Sequence, residues 1–268
     1  AGKISIVLKS IIVGLAAGLV TVFYRLVLMK AEKGAQQWYH FVGEHKAYIG
    51  ITLIGLALCA IIVGCLVKWN PMISGSGIPQ LEGIMKGHFK ERKSWFHTIW
   101  SKFLAGSIGI VAGLSLGREG PSIQLGAAVG EGIADKIGNG AMEKKILMVS
   151  GASAGLAAAF NAPMAGVIFA LEEIYKYFSP LILLSSMSAA VVSDFISKQV
   201  FGLEPVFDFH VLRSVPLANY WIIILLGIFI GITGAGYNFF LLYTKKMYAK
   251  LKKIDIRIRM LIPFLCAG

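Results

Sequence analysis

Charged residues are scarce in this chain. They make up 15% of its 268 residues, whereas 56% are hydrophobic and the mean hydropathy is +0.72. An average soluble domain carries about 25% charged residues, so the composition excludes an ordinary soluble domain and predicts a membrane protein with several spans. Acidic residues are the scarcest, 14 against 26 basic ones. The basic residues lie in short loops between apolar runs, which is typical of cytoplasmic loops and argues against a nucleic-acid-binding face.

Cysteine is rare as well. Cys59, Cys65 and Cys266 are odd in number and lie in apolar runs, and neither they nor the five histidines have the spacing of metal ligands. We therefore expect no metal site, no disulfide and no cofactor.

Apolar runs near the length of about 20 residues that crosses a bilayer occur five times. They cover residues 4–30, 48–68, 95–116, 180–201 and 219–243. Residues 77–86 contain too few apolar side chains to cross, and 146–160 and 163–175 are typical of two short helices that meet at a break. Backbone interrupted at membrane depth is tolerated only where it is buried in protein or lines a cavity. The pattern predicts an all-α polytopic membrane protein with discontinuous and half-spanning helices.

The sequence also contains an internal similarity between two of its apolar runs. A shift that places Gly14 on Gly227 also places Gly18 on Gly231 and Tyr24 on Tyr237. Internal repeats with discontinuous helices are typical of secondary transporters. We expect a first repeat over residues 1–216. Residues 217–268 would then be the first helix and the start of the second helix of a second repeat, whose remainder is absent.

The distribution of charge predicts the orientation. Residues 245–259 carry seven basic side chains and one acidic side chain, so we place this stretch in the cytoplasm. Residues 203–218 are poor in basic side chains and should lie on the other side. In an inverted repeat the first helix runs the opposite way to the helix at 219–243, which puts the N-terminus in the cytoplasm. The membrane itself is expected to be a plasma or inner membrane.

Residues 113–130, GLSLGREGPSIQLGAAVG, place two charges inside an apolar, glycine-rich run. A charge at that depth costs about 2.5–3.5 kcal/mol on insertion scales and indicates a functional site by default. Pro121 suits the first turn of a helix, so Glu119 should lie where a helix begins. Helix N-termini attract anions, and the Glu119 carboxylate could occupy that position itself. The segment is equally compatible with an Arg118–Glu119 pair that closes a helix junction.

Residues 75–79, GSGIP, have a similar arrangement. Ser76 offers a hydroxyl, and the N–H groups of Gly77 and Ile78 precede or open the half-helix, whose first turn is set by Pro79. Neutral hydrogen-bond donors suit a site through which anions pass, because full positive charges would hold an anion too tightly for release. A tight turn would explain GSGIP alone, but GREGP further along the chain favours an anion site.

Three blocks resemble those of a known family. GSGIPQLEG, GREGPSIQLGA and GASAGLAAAFNAPMAGVIFALEE are similar to the first three signature blocks of the CLC family of chloride channels and proton-coupled chloride antiporters, in the family's order and spacing. The resemblance covers essentially the whole chain. It implies a CLC-type fold of inverted repeats, truncated here early in the second repeat. It also implies a homodimer in a lipid bilayer, with one pore per subunit.

The resemblance also implies roles for individual residues. Ser76, Gly77 and Ile78 match the segment that coordinates the central anion. Glu119 matches the gating glutamate, which blocks the outer anion site as a carboxylate and carries a proton when neutral, and Glu173 matches the inner proton glutamate of the antiporters. The remaining residues of the two filter motifs are Gly75, Pro79, Gly117, Arg118, Gly120 and Pro121. Glu82, Lys102 and Arg118 are interpreted as supporting, structural charges.

The activity implied is voltage- or pH-sensitive chloride transport, not enzymatic catalysis, with two chloride ions exchanged for one proton. Ser76 favours chloride, because nitrate-selecting members tend to carry proline there, and the fluoride-exporting branch usually departs from both motifs. A passive channel is the alternative, although channel members usually have an uncharged residue at the position of Glu173. A membrane enzyme using Arg118 and Glu119 would need a nucleophile, base or metal cluster that is not evident. The family's third filter segment, G-x-F-x-P, and its anion-capping tyrosine are not in this chain, so by itself it could be a non-transporting fragment.

Overall fold

The computed structural model describes residues 2–89, 93–203 and 216–267. Within those ranges the chain forms eleven α-helices and no strand. Their bounds are α1 Lys3–Glu44, α2 Ile49–Trp69, α3 Ile78–Met85, α4 Trp95–Val111, α5 Glu119–Ile137, α6 Ala141–Phe160, α7 Pro163–Phe169, α8 Pro180–Phe201, α9 Tyr220–Lys250, α10 Ile256–Arg259 and α11 Leu261–Ala267. Short 3-10 turns join several of them, and a π-helical turn, Ala170–Tyr175, continues α7.

Four helical segments of the described chain are long and apolar enough to cross a membrane: Lys3–Glu44, Lys46–Trp69, Pro180–Phe201 and Leu217–Lys250. They agree with four of the five predicted spans. The fifth, predicted over residues 95–116, is wrong at its end, because α4 stops at Val111 after 17 residues. The chain turns there at Gly113, whose φ of 82° is incompatible with a right-handed α-helix.

Two further boundaries differ from the prediction. Helix α6 begins at Ala141, ahead of the predicted residue 146, and is therefore 20 residues long. Its first turn is polar but has partners: Glu143 accepts a hydrogen bond from Lys9 at 2.6 Å, and Lys144 forms an ion pair with Glu131 at 2.9 Å. Helix α9 continues to Lys250, so the first part of the basic stretch 245–259 is helical.

Helices α5 and α6 form the centre of the bundle, and every residue from Ser122 to Gly132 of α5 is buried. The two helices touch backbone to backbone through glycines. A side chain on Gly126 would collide with the carbonyl of Gly151, and one on Gly155 would collide with that of Ser122. Small residues allow this close approach, which is how membrane helices pack without a hydrophobic driving force.

The C-terminal helices contact the bundle through α2. Gly64 of α2 faces the backbone of Arg257, and Phe264 of α11 is 1% exposed in a cluster with Leu56 and Ala60. Helix α9 has no buried residue in the described structure. The predicted repeat boundary between residues 216 and 217 stays a prediction, and most of the connection 203–218 lies outside the described residues.

Candidate functional site

Residues 74–78 form a loop that ends in a half-helix. Gly75 and Gly77 have φ angles of 69° and 94°, which side chains rarely tolerate, and Gly77 is the N-cap of α3. Helix α3 is eight residues long, so it cannot cross a bilayer. The backbone N–H of Ile78 donates to the Ser76 hydroxyl at 3.4 Å, and the Ser76 side chain is exposed. The predicted half-helix that starts beside Ser76 is therefore present.

Helix α5 begins at Glu119, as the proline two residues later predicts, and its first turn touches the Ser76 loop. A Cβ on Gly120 would lie 2.5 Å from the Ser76 carbonyl oxygen and 2.9 Å from the Ser76 Cα. Only glycine permits this approach. The N-terminal ends of α3 and α5, which are separate in sequence, are thus brought into direct contact.

Gln124 is a second link between α5 and the loop. Its side chain fills the space beside Gly77 where a Cβ would stand, and its amide donates to the Met72 carbonyl at 2.7 Å. This residue was missed at the sequence level. The signal available in the sequence was an amide side chain one turn after Pro121, within a run otherwise rich in small apolar residues.

Lys102 of α4 supports the loop from the other side. It is 4% exposed, and its ammonium donates to the carbonyls of Ile73 at 2.9 Å and Gly75 at 2.7 Å. A buried ammonium requires such acceptors, because burial without hydrogen bonds is costly. The contact agrees with the supporting role predicted for Lys102 and puts a positive charge directly behind the Ser76 segment.

The two charges at the start of α5 are separate. The Glu119 side chain is exposed, and its carboxylate folds back against Gly117. The guanidinium carbon of Arg118 lies 5.7 Å from the centre of the Phe160 ring, at the C-terminal end of α6. Among the described residues Arg118 and Glu119 form no ion pair with each other, so the alternative of an Arg–Glu pair closing the junction is wrong.

Glu173 lies at a different place, on the π-helical turn after α7. Asn161 has a left-handed φ of 55° and ends α6, and Pro163 opens α7, so the predicted break is present. Glu172 and Glu173 are both exposed and line an open groove of about 660 Å³. π-helical turns often occur at functional sites.

Helix α3 connects these regions. Its residues Leu81 and Met85 pack in one apolar cluster with Ala170 and Ile174 of the π-helical turn. Helix α3 begins beside Ser76 and also packs against the π-helical turn that carries Glu173. The segments that carry Ser76, Glu119 and Glu173 therefore all lie beside α3. The roles predicted for these three residues stay predictions.

Comparison with known proteins places this architecture in a family. The sequence profile described as "Voltage gated chloride channel" matches residues 58–268. The chain belongs to the CLC family. It is accordingly an integral membrane protein, and the CLC-type fold implied by GSGIP and GREGP is confirmed.

Individual CLC relatives agree with this assignment. The chain is 31% identical over 270 residues to the H(+)/Cl(-) exchange transporter ClcA of Vibrio vulnificus strain YJ016, covering 99% of this chain and 57% of the relative. It is 31% identical over 259 residues to ClcA of Salmonella arizonae, covering 95% of this chain and 54% of that relative. The chain thus spans little more than half the length of these relatives, which are named as transporters and not as enzymes.

Solved CLC structures are also similar. A slow cyanobacterial Cl-/H+ antiporter superposes with a TM-score of 0.84 and 28% identity, over all of this chain and 63% of that one. A CLC-type fluoride/proton antiporter superposes with a TM-score of 0.78 over 98% of this chain and 63% of that one, but at 22% identity this likeness shows the fold alone.

The contact between Gly120 and Ser76 leads to a first prediction. Gly120→Ala inserts a methyl group against backbone atoms that cannot move independently, and such overpacking costs about 1–3 kcal/mol. We expect a lower melting temperature in detergent. Gly34→Ala is the matched control, because a Cβ on Gly34 of α1 meets nothing within 4 Å. If Gly120→Ala and Gly34→Ala had the same melting temperature, the close contact between Gly120 and Ser76 would be contradicted.

Proposed function

We propose that the complete protein containing this chain exchanges chloride for protons across a membrane, two chloride ions for one proton. The observation that carries the proposal is the contact between Gly120 and Ser76. It brings the first turn of α5, which begins at Glu119, against the loop that carries the neutral donors at the start of α3. An anion and the Glu119 carboxylate would then compete for the same site, and such competition couples chloride movement to protonation.

The chemistry of each group suits this exchange. The N–H groups of Gly77 and Ile78 and the Ser76 hydroxyl are neutral donors at a helix N-terminus, which can replace part of an anion's hydration shell. Ionised Glu119 occupies the neighbouring positive end of α5 and blocks the path. Once protonated it loses its attraction to that end, moves away and admits the anion.

Protons need a route that chloride does not share. Glu173 is exposed on a groove beside α3 and is separate from the Ser76 loop in sequence and in position. We propose that it takes up protons from the cytoplasmic side and passes them towards Glu119. An exposed carboxyl group at this position favours exchange over a passive channel, which needs no titratable group there.

The names of the relatives support chloride and protons as the transported ions, and no cofactor is required. We further propose a homodimer with one pore per subunit, in a plasma or inner membrane, with the N-terminus in the cytoplasm.

The test is reconstitution of the complete gene product into liposomes. Under a chloride gradient we expect chloride efflux and proton uptake in the proposed ratio, measured by a chloride electrode and a pH electrode. Chloride flux without proton uptake would establish the passive channel instead. Absence of both fluxes from correctly folded protein would reject transport of chloride altogether.

A further inference from the structure

Helix α9 carries an open groove of about 560 Å³ along one face. The residues that line it recur at spacings of three and four, so they lie on the same side of the helix: Tyr237, Phe240, Leu241, Thr244, Lys245 and Tyr248. The helix is long and apolar enough to cross a membrane, and the basic stretch 245–259 begins within the groove. The groove therefore runs from the apolar part of a membrane span to its charged end.

The charged end of the groove has two cations. Lys245 is exposed and lies about one helical turn before Tyr248. Arg259 comes from α10, and its guanidinium carbon lies 5.0 Å from the centre of the Tyr248 ring. The Tyr248 hydroxyl also donates to the Arg259 carbonyl at 2.6 Å. Tyr248 thus holds Arg259 at the same end of the groove as Lys245.

The acidic residue nearest in sequence to these two cations is already paired with others. Asp255 forms ion pairs with Lys68 of α2 at 2.6 Å and with Arg257 at 3.1 Å. Within the described part of the chain, neither Lys245 nor Arg259 pairs with a carboxylate. Basic side chains at the end of a membrane span attract anionic lipid headgroups, so the charged end of the groove is complementary to such a headgroup.

We propose that this groove binds an anionic phospholipid. An acyl chain lies along the exposed side chains of Tyr237, Phe240 and Leu241, and the phosphate is held by Lys245 and Arg259. An apolar surface that continues into two cations matches the two parts of this ligand, whereas a soluble anion would use only the cations. The proposal concerns a site separate from the Ser76 loop and does not depend on chloride–proton exchange.

The experiment measures lipid binding by the complete protein in detergent. Phosphatidylglycerol and phosphatidylcholine with identical acyl chains are titrated into separate samples, and the bound lipid is counted by native mass spectrometry. Each basic residue near the headgroup contributes about fivefold in affinity for an anionic lipid. We therefore expect wild-type protein to bind phosphatidylglycerol at least about tenfold more tightly than phosphatidylcholine.

Variants of two adjacent lysines locate the site. Lys245→Gln should weaken phosphatidylglycerol binding about fivefold and leave phosphatidylcholine binding unchanged, whereas Lys245→Arg keeps the charge and should bind as the wild type does. Lys246→Gln is the matched control, because it removes an equal charge from the next exposed residue, which does not line the groove. It should keep the wild-type affinity. An equal loss in Lys246→Gln, or no loss in Lys245→Gln, overturns the proposal.

Two further measurements separate the lipid from other occupants. Inorganic phosphate in excess carries the negative charge without acyl chains and should not displace phosphatidylglycerol, whereas displacement would identify a free-phosphate site and overturn the proposal. Equal binding of the two lipids by the wild type would overturn it as well. The melting temperature of Lys245→Gln should match that of the wild type, because this exposed side chain forms no ion pair in the described structure.

Discussion

Replacing Glu119 with glutamine should remove proton movement while chloride flux continues. The amide of glutamine has nearly the shape of a protonated carboxyl group but cannot titrate. It cannot carry a proton, and without a negative charge it no longer competes with an anion at the N-terminal end of α5. We expect proton uptake to fall to the level of empty liposomes, with chloride efflux retained and no longer dependent on pH. Parallel chloride and pH electrodes on reconstituted protein measure both.

The control is Glu32→Gln, which neutralises an exposed carboxylate on α1 that belongs to neither GSGIP nor GREGP. It should exchange chloride for protons as the wild type does. Proton uptake driven by a chloride gradient in Glu119→Gln would mean that Glu119 is not the gate. Loss of chloride flux in that variant, with the fold intact, would equally exclude the competition between carboxylate and anion.

Replacing Glu173 with glutamine should stop proton movement and leave chloride flux in place. Glu173 lies on the turn packed against the flank of α3, apart from the Ser76 loop, so its neutralisation should not alter the anion donors. The ionised gate would then receive no protons from this side. We expect proton uptake at background and chloride flux that persists, measured in the same liposome assay.

Glu172 provides an unusually close control, because it is the neighbouring residue on the same exposed turn. Glu172→Gln changes the same net charge and should retain coupled exchange. Equal loss of proton uptake in both variants would show that the charge of the turn matters and not a specific proton acceptor. Undiminished proton uptake in Glu173→Gln would exclude the role assigned to it.

Local signals in the sequence were sufficient for the interrupted helices. Proline is favoured in the first turn of a helix wherever it occurs, and the start of α5 at Glu119 and the eight-residue α3 agree with this preference. The break between Asn161 and Pro163 was predictable for the same reason. These features depend on backbone conformations that one or two residues impose on themselves.

Helix ends without such signals were predicted less well. The polar residues 141–145 look like a loop in isolation, but α6 includes them because Lys9 and Asp135 come from other helices to pair with Glu143 and Lys144. Similarly, the basic residues after 243 continue α9. A charged turn destabilises a helix little when its side chains have ion-pair partners or contact water. The sequence does not reveal which ion-pair partners other helices will bring near.

Composition and the two glycine–proline motifs alone determined that this chain is a membrane protein with half-helices, because hydropathy and backbone restrictions act locally. The resemblance of three sequence blocks added the CLC family. Only the tertiary structure decided which atoms meet: Gly120 on the backbone of Ser76, Lys102 beneath the Gly75 carbonyl, and Lys176 on Glu82. Each contact joins residues that are distant in the chain. Their proximity is a property of how the helices pack, which is set by small-residue contacts spread over the whole bundle.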